Sequence, residues 1–145
     1  MIIVEMTQVT DEMKAAFDRL IPQLTQHSPP PTQEMLMQMA ASDVVFVFLA
    51  REGDESGRIL GSATLGTFIT PTGVHGWIED VIVDQDARRR GIGRALTEAC
   101  LEKARQLGLP DVNLTSRPGR EAANQLYQEM GFQQRQTNVY RYPLD

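Results

Sequence analysis

The residues most able to do chemistry stand in one short run, Asp84-Gln85-Asp86-Ala87-Arg88-Arg89-Arg90-Gly91-Ile92-Gly93-Arg94-Ala95-Leu96, directly after an apolar stretch ending at Val83. Three successive arginines in an otherwise acidic chain, followed by Gly91 and Gly93, mark a place to bind an anion. A helix beginning there presents unpaired N–H groups and the positive end of its dipole. Glycines remove the side chains that would hold a phosphate off the backbone. Arginines add charge-assisted hydrogen bonds to phosphate oxygens. On this segment alone two readings fit, a diphosphate grip and a solvated basic turn that merely starts a helix. A Walker loop and a Gly-x-Gly-x-x-Gly dinucleotide fingerprint are both excluded by inspection.

A second feature is the pair Glu79 and Asp80 inside the apolar stretch Trp77 to Val83. In a regular strand neighbouring side chains point to opposite faces. Burying an unpaired carboxylate costs too much, so at least one of the pair should face a wet cleft or meet a cation such as Arg117. Other chemistry is thinly supplied. Cys100 is the only cysteine and falls within a helical pattern, which suits a small buried residue. His27 and His75 are too scattered for a metal site, and none is expected.

The elements that must hold these residues follow from periodicity. Ile2 to Met6 reads as a strand. Thr10 caps a helix with Met13, Ala16, Phe17, Leu20, Ile21 and Leu24 at helical spacing, and Thr32 caps a shorter one with Met35, Leu36, Met39 and Ala40. Val44 to Ala50 is an unbroken apolar run suited to a strand covered on both faces. Arg58 to Phe68 returns as a hairpin, and Trp77 to Val83 follows the turn Thr70 to Gly73. Ile92 to Leu107 is a helix ended by Gly108, Val112 to Thr115 a short strand, and Arg120 to Met130 a helix closed by Gly131. Phe132 to Arg135 and Asn138 to Tyr142 read as two final strands. The order implies an α/β sandwich, a mixed central sheet of about seven strands flanked by four helices, in a single domain over residues 1–145. Ligands of such sheets bind at the carboxyl ends of strands, and Val83 is one.

Arg88-x-x-Gly91-x-Gly93 after an apolar strand, followed by Leu126-Tyr127-x-x-x-Gly131-Phe132, resembles the GNAT N-acetyltransferase superfamily. The likeness covers nearly the whole chain, since the element order above is also that family's. It implies acetyl-CoA as co-substrate, its diphosphate lying on Arg88, Arg89, Arg90, Gly91, Ile92, Gly93 and Arg94. It also implies that the pantetheine arm pairs like an added strand with Val81, Ile82 and Val83. An extended amide-bearing arm can satisfy the open N–H and C=O groups of a strand edge. Two positions depart from the family pattern. Arg89 stands where glycine is most frequent, and a solvated side chain is expected there. Arg120 stands where many members carry asparagine, and Asn124, on the same helical face as Arg120 and Tyr127, is expected to take part of the cofactor contact.

By the same resemblance Tyr127 is the general acid that protonates the departing thiolate. A half-buried aromatic anchoring its helix would look alike. Glu79 resembles the strand carboxylate that accepts the amine proton through a water, and a structural ion pair is its other reading. A backbone N–H near Val81 would polarise the thioester carbonyl. The acceptor is an unidentified primary amine of a small molecule or peptide. Its pocket is expected from the first two helices, the turn Thr70 to His75 and the last two strands. The rival function is a non-catalytic acyl-CoA-binding or sensing protein. A net charge of −5 argues against a nucleic-acid partner. No run approaches a membrane span, which points to a cytoplasmic protein, as a monomer or homodimer.

Overall fold

The computed structural model describes residues 1–145. Its spine is the apolar run expected to be covered twice, strand β2 (Val45–Arg51), in which every residue from Val47 to Arg51 is buried. Strand β1 (Ile2–Glu5) pairs on one side of it and β3 (Ile59–Thr70) on the other, and β4 (Gly73–Val83) pairs with β3, all antiparallel. Val47 and Leu49 pack with Met13, Phe17 and Leu20 of helix α1 (Asp11–Leu24) and Leu36 of α2 (Gln33–Ala41). The opposite face meets helix α3 (Ile92–Gln106), whose Lys103 ammonium sits 4.6 Å from the Phe46 ring centre. Leu96 of α3 lies where the sheet has only Gly61, 3.2 Å from the place a Cβ would occupy there. The sheet is therefore filled from both sides.

Both expected threonine caps form. The Thr10 hydroxyl accepts from the Met13 N–H at 3.2 Å and that of Thr32 from the Met35 N–H at 3.1 Å. The four helices are present, the fourth being α4 (Glu121–Glu129). The expected sheet of about seven mixed strands is not. The sheet has four strands in the order β1-β2-β3-β4, without a parallel pair among them. Val112 to Thr115 contributes one parallel bridge, Asn113 to Trp77, through hydrogen bonds from Ile78 N–H at 2.9 Å and to Gly76 carbonyl at 3.0 Å. The ladder stops where β4 becomes irregular just beyond Ile78. The two tail segments form no strand. Gln133, Gln134, Gln136 and Asn138 deny them an apolar face, and Val139, Tyr140 and Tyr142 are exposed.

Residue contacts group Met1–Thr115 and Ser116–Asp145 as two compact units. In the second, α4 ends on Gly131 at φ 102°. The Gly131 N–H donates to the Gln128 carbonyl at 3.1 Å and the Phe132 N–H to the Tyr127 carbonyl at 2.9 Å. This pair of bonds, with Phe132 packed edge-on to Tyr127 at 5.6 Å, is a Schellman helix end. The Tyr-x-x-x-Gly-Phe spacing is thus the spacing at which a left-handed glycine turns the next aromatic back onto the tyrosine.

The first unit is tied beneath its arginine-rich turn by Asp84, which is buried at the end of β4. Its carboxylate accepts from Arg19 at 2.9 Å, Arg58 at 3.0 Å and Gln23 at 3.4 Å. Burial pushes the carboxyl up, but hydrogen bonding with Asp86, Arg19 and Gln23 outweighs it and holds Asp84 at about 2. Its stabilising contribution is therefore complete above its ordinary value of 3.8 and is lost as the pH falls through about 2. Asp84→Asn should cost about 2 kcal/mol in urea unfolding at pH 7, less than for a fully buried pair because both arginines are part exposed. The loss should shrink to near zero at the lowest pH at which folding is measurable. An unchanged denaturation midpoint at pH 7 would refute this role.

Candidate active site

Strand β4 is the last in the sheet, and within residues 1–115 its outer edge is engaged only at the Trp77–Asn113 bridge. On the inner edge Ser62 faces Ile82 and Thr64 faces Glu79, so Asp80 and Val81 together oppose Ala63. This is a β-bulge, with Asp80 at φ 52°. Its effect is a change of face. Ile78 lies opposite Leu65, which itself faces Phe46 on the α3 side, whereas Ile82 joins the core beneath α1. In an unbroken strand Asp80 would share a buried face with Ile78 and Ile82. With the bulge, Glu79 and Asp80 are both exposed, as a pair of carboxylates without a buried cation requires.

Glu79 has no cationic partner within residues 1–115. Its carboxyl is raised above the ordinary 4.5, first by partial desolvation and second by the negative charge of Asp80. Both causes make it a better proton acceptor than a free glutamate, which is what a base toward an ammonium group needs. Val81, in the bulge, stands outside the residue-for-residue pairing with β3. Ile82 is buried, so only its backbone is on offer to a ligand.

After Asp84 a single 3-10 turn, Gln85–Ala87, leads into the arginines. Arg89 at φ 66° and Gly91 at φ 77° are both left-handed. Left-handed residues interleaved with ordinary ones turn successive N–H groups toward one side and make an anion cradle. The first backbone bond of α3 runs from Ala95 N–H to Gly91 carbonyl at 3.1 Å, and no side chain caps the helix. The N–H groups of Ile92 and Gly93 therefore have no acceptor within the helix. The Ile92 side chain is buried and anchors the turn.

The guanidinium groups are used unequally. Arg88 reaches the Val83 carbonyl at 3.4 Å, Arg90 pairs with Glu52 at 2.8 Å, and Arg94 lies 3.8 Å from Glu98. Arg88 and Arg89 have no acidic partner, and Arg89 is solvent-exposed, as expected. The left-handed backbone at Arg89 also gives a reason for a glycine preference at that position, since any side chain there costs ~1–2 kcal/mol. An uncapped helix start, a left-handed cradle and two arginines without acidic partners form a donor set that fits a diphosphate.

In the second unit, the Asn124 amide nitrogen donates to the carbonyls of Arg117 at 2.8 Å and Arg120 at 2.9 Å. It ties down the turn before α4, which leaves its oxygen as the atom available to a ligand. Tyr127 is half-buried with its ring against Phe132. Sequence reasoning missed the bulge, the left-handed Arg89 and the Glu52–Arg90 pair. Two charges in succession within an apolar strand were the available sign of the first.

Known proteins bear on this geometry. The model of the acetyltransferase (GNAT) family matches residues 9–132. The L-methionine sulfoximine/L-methionine sulfone acetyltransferase of Pseudomonas aeruginosa is 33% identical over 81 residues, 55% of this chain and 47% of that protein. The mycothiol acetyltransferase of Geodermatophilus obscurus is 39% identical over 97 residues, 63% of this chain and 30% of that protein. Glucosamine 6-phosphate N-acetyltransferase 1 of Oryza sativa is 32% identical over 98 residues, covering 63% and 59%. The chain thus matches less than two thirds of the length of each. Among solved structures, a Trypanosoma brucei acetyltransferase superposes with TM-score 0.73 at 28% identity, over 99% of this chain and 100% of that one. A soil-metagenome aminoglycoside acetyltransferase in complex with sisomicin gives 0.81 at 20% identity, covering 99% and 96%, which shows a shared fold. With a family match spanning most of its length, the chain belongs to the acetyltransferase (GNAT) family.

Proposed function

We propose that the protein is an acetyl-CoA-dependent N-acetyltransferase acting on a primary amine of a small molecule or peptide by direct attack. The observation that carries this is the uncapped start of α3, with left-handed Arg89 and Gly91, set directly after the open edge of a bulged strand. Acetyl-CoA, when bound, supplies an acetyl group activated as a thioester. The backbone from Arg88 to Arg94, with the Arg88 side chain, holds the diphosphate. The backbone edge of Val81, Ile82 and Val83 receives the amide-bearing arm. The Val81 N–H, in the bulge, orients and polarises the carbonyl to be attacked.

Glu79 takes the proton from the incoming amine through a water. Such an amine has a pKa near ~10 and is mostly protonated at neutral pH, so attack requires a base. Tyr127 carries a proton on its phenol oxygen and gives it to the departing sulfur, and Asn124 offers its amide oxygen to the cofactor. The Schellman end of α4 fixes the Tyr127 ring against Phe132, which suits a proton donor that must hold one orientation. The names of the relatives, which include a glucosamine phosphate and an amino-acid derivative, support a small amine as acceptor. The family match runs through both units, which supports one N-acetyltransferase domain. No helix is long and apolar enough to cross a membrane, and a cytoplasmic location fits this reading.

Incubating the protein with acetyl-CoA and a panel of primary amines, and following free thiol, tests the activity itself. With an accepted amine, Tyr127→Phe should lower kcat about 100-fold while acetyl-CoA affinity stays the same. Unchanged turnover would remove Tyr127 as the acid. Because Glu79 must be deprotonated, kcat/KM should fall as the pH drops through a value above 4.5. Asp80→Asn withdraws the charge that raises Glu79 and should move that acid limb to lower pH, whereas Glu79→Gln should abolish the limb and slow the reaction. An acid limb that ignores both substitutions would assign the base elsewhere.

A further inference from the structure

The loop between β2 and β3 carries three carboxylates, Glu52, Asp54 and Glu55, and one of them reaches the arginine turn. Arg90 Nη2 and Glu52 Oε2 are 2.8 Å apart, each side chain about half exposed. The contact joins positions remote in sequence, and the backbone beneath Glu52 is fixed. The Glu52 N–H donates to the Arg58 carbonyl at 2.9 Å. A Cβ at Gly57 would lie 1.6 Å from the Glu52 carbonyl oxygen, so the loop closes over Glu52 as closely as a glycine permits. The Gly57 carbonyl in turn accepts from Arg51 at 2.8 Å, and buried Arg51 holds both oxygens of Glu12 at 3.0 Å. Glu52 is thus presented to Arg90 by a braced loop base.

The companions of Glu52 are differently engaged. Asp54 accepts from the N–H and hydroxyl of Ser56 at 2.9 and 2.6 Å, which holds its carboxyl below the ordinary range. Glu55 pairs with no cation. One carboxylate of the loop therefore occupies the anion-binding turn, while its neighbours contribute only charge at a distance.

We propose that Glu52 is an affinity-setting residue of the cofactor site, an internal counter-ion that holds Arg90 until the diphosphate of acetyl-CoA takes its place. The inference rests on the cofactor reading of the turn. Binding then exchanges one partner of Arg90 for another, so the cofactor gains less from Arg90 than from an unpaired arginine. The same competition speeds departure of the spent cofactor, which carries the same diphosphate.

Calorimetric titration of the full chain with acetyl-CoA tests this. Glu52→Gln should tighten Kd roughly two- to fivefold at low salt, the range an exposed ion pair covers. The gain should shrink toward nothing in about 0.5 M salt, where exposed charges are screened. Glu55→Gln changes the charge of the same loop without touching Arg90 and should have a clearly smaller effect. In an Arg90→Gln background Glu52→Gln should have no effect, because there is no guanidinium left to release. An unchanged Kd in Glu52→Gln, an equal gain in Glu55→Gln, or a gain that persists without Arg90 would each overturn the proposal while leaving the cofactor reading intact. Absence of acetyl-CoA binding by the unsubstituted protein would overturn the cofactor reading, and this inference with it.

Discussion

A strand packed between helices cannot carry two adjacent carboxylates through its middle without exposing them, because an unpaired buried carboxylate costs several kcal/mol. Strand β4 resolves this at Asp80 and Val81, where an extra residue takes Asp80 off the buried face of Ile78 and Ile82 and leaves it, like Glu79, in solvent. The same irregularity moves the buried side chains of the strand from the α3 face at Ile78 to the α1 face at Ile82. It also coincides with the end of pairing on the outer edge, where contact with Asn113 stops at Ile78. Exposed carboxylates, an irregular register and an open strand edge thus meet at one bulge. Each is a requirement of the proposed chemistry.

Beyond the bulge, the chain must deliver a basic turn at a fixed place, and it does so with acidic residues. Asp84 gathers Arg19 and Arg58 at the end of β4 and fastens α1 to the strand from which the turn begins. Glu52 meets Arg90 from the adjacent loop. The net charge of −5 is therefore compatible with an anion site, since acidic residues organise the arginines and leave Arg88 and Arg89 without acidic partners. The left-handed conformation of Arg89 is a local strain of the kind that binding turns retain.

The parts of this arrangement that sequence revealed were those governed by local periodicity and local chemistry. Thr10 and Thr32 cap their helices, Val47 to Ala50 are buried on both faces, and Gly131 ends α4, because each depends on neighbours within a few residues. The sheet was overcounted for a related reason. Residues 132–135 and 138–142 have strand-like spacing, but a strand exists only where a partner edge and a buried face are supplied, and Gln133, Gln134 and Gln136 supply no such face. The bulge depends on how β4 registers against β3, and the pair Glu52–Arg90 joins two loops that periodicity cannot bring together. The arginine turn and the helix start after it were legible in their residue types. The left-handed geometry of the turn and the helix start without a cap belong to the folded backbone.

In the proposed reading, backbone groups of one turn and one strand edge, more than any single side chain, receive the cofactor. Amide chemical shifts of the protein, followed during titration with acetyl-CoA, report on those groups directly. Saturating changes should be largest at the N–H groups of Gly91, Ile92 and Gly93, with a second cluster at Val81 to Val83. Saturating changes confined to other elements, with the amides of the turn and of β4 unmoved, would contradict that reading.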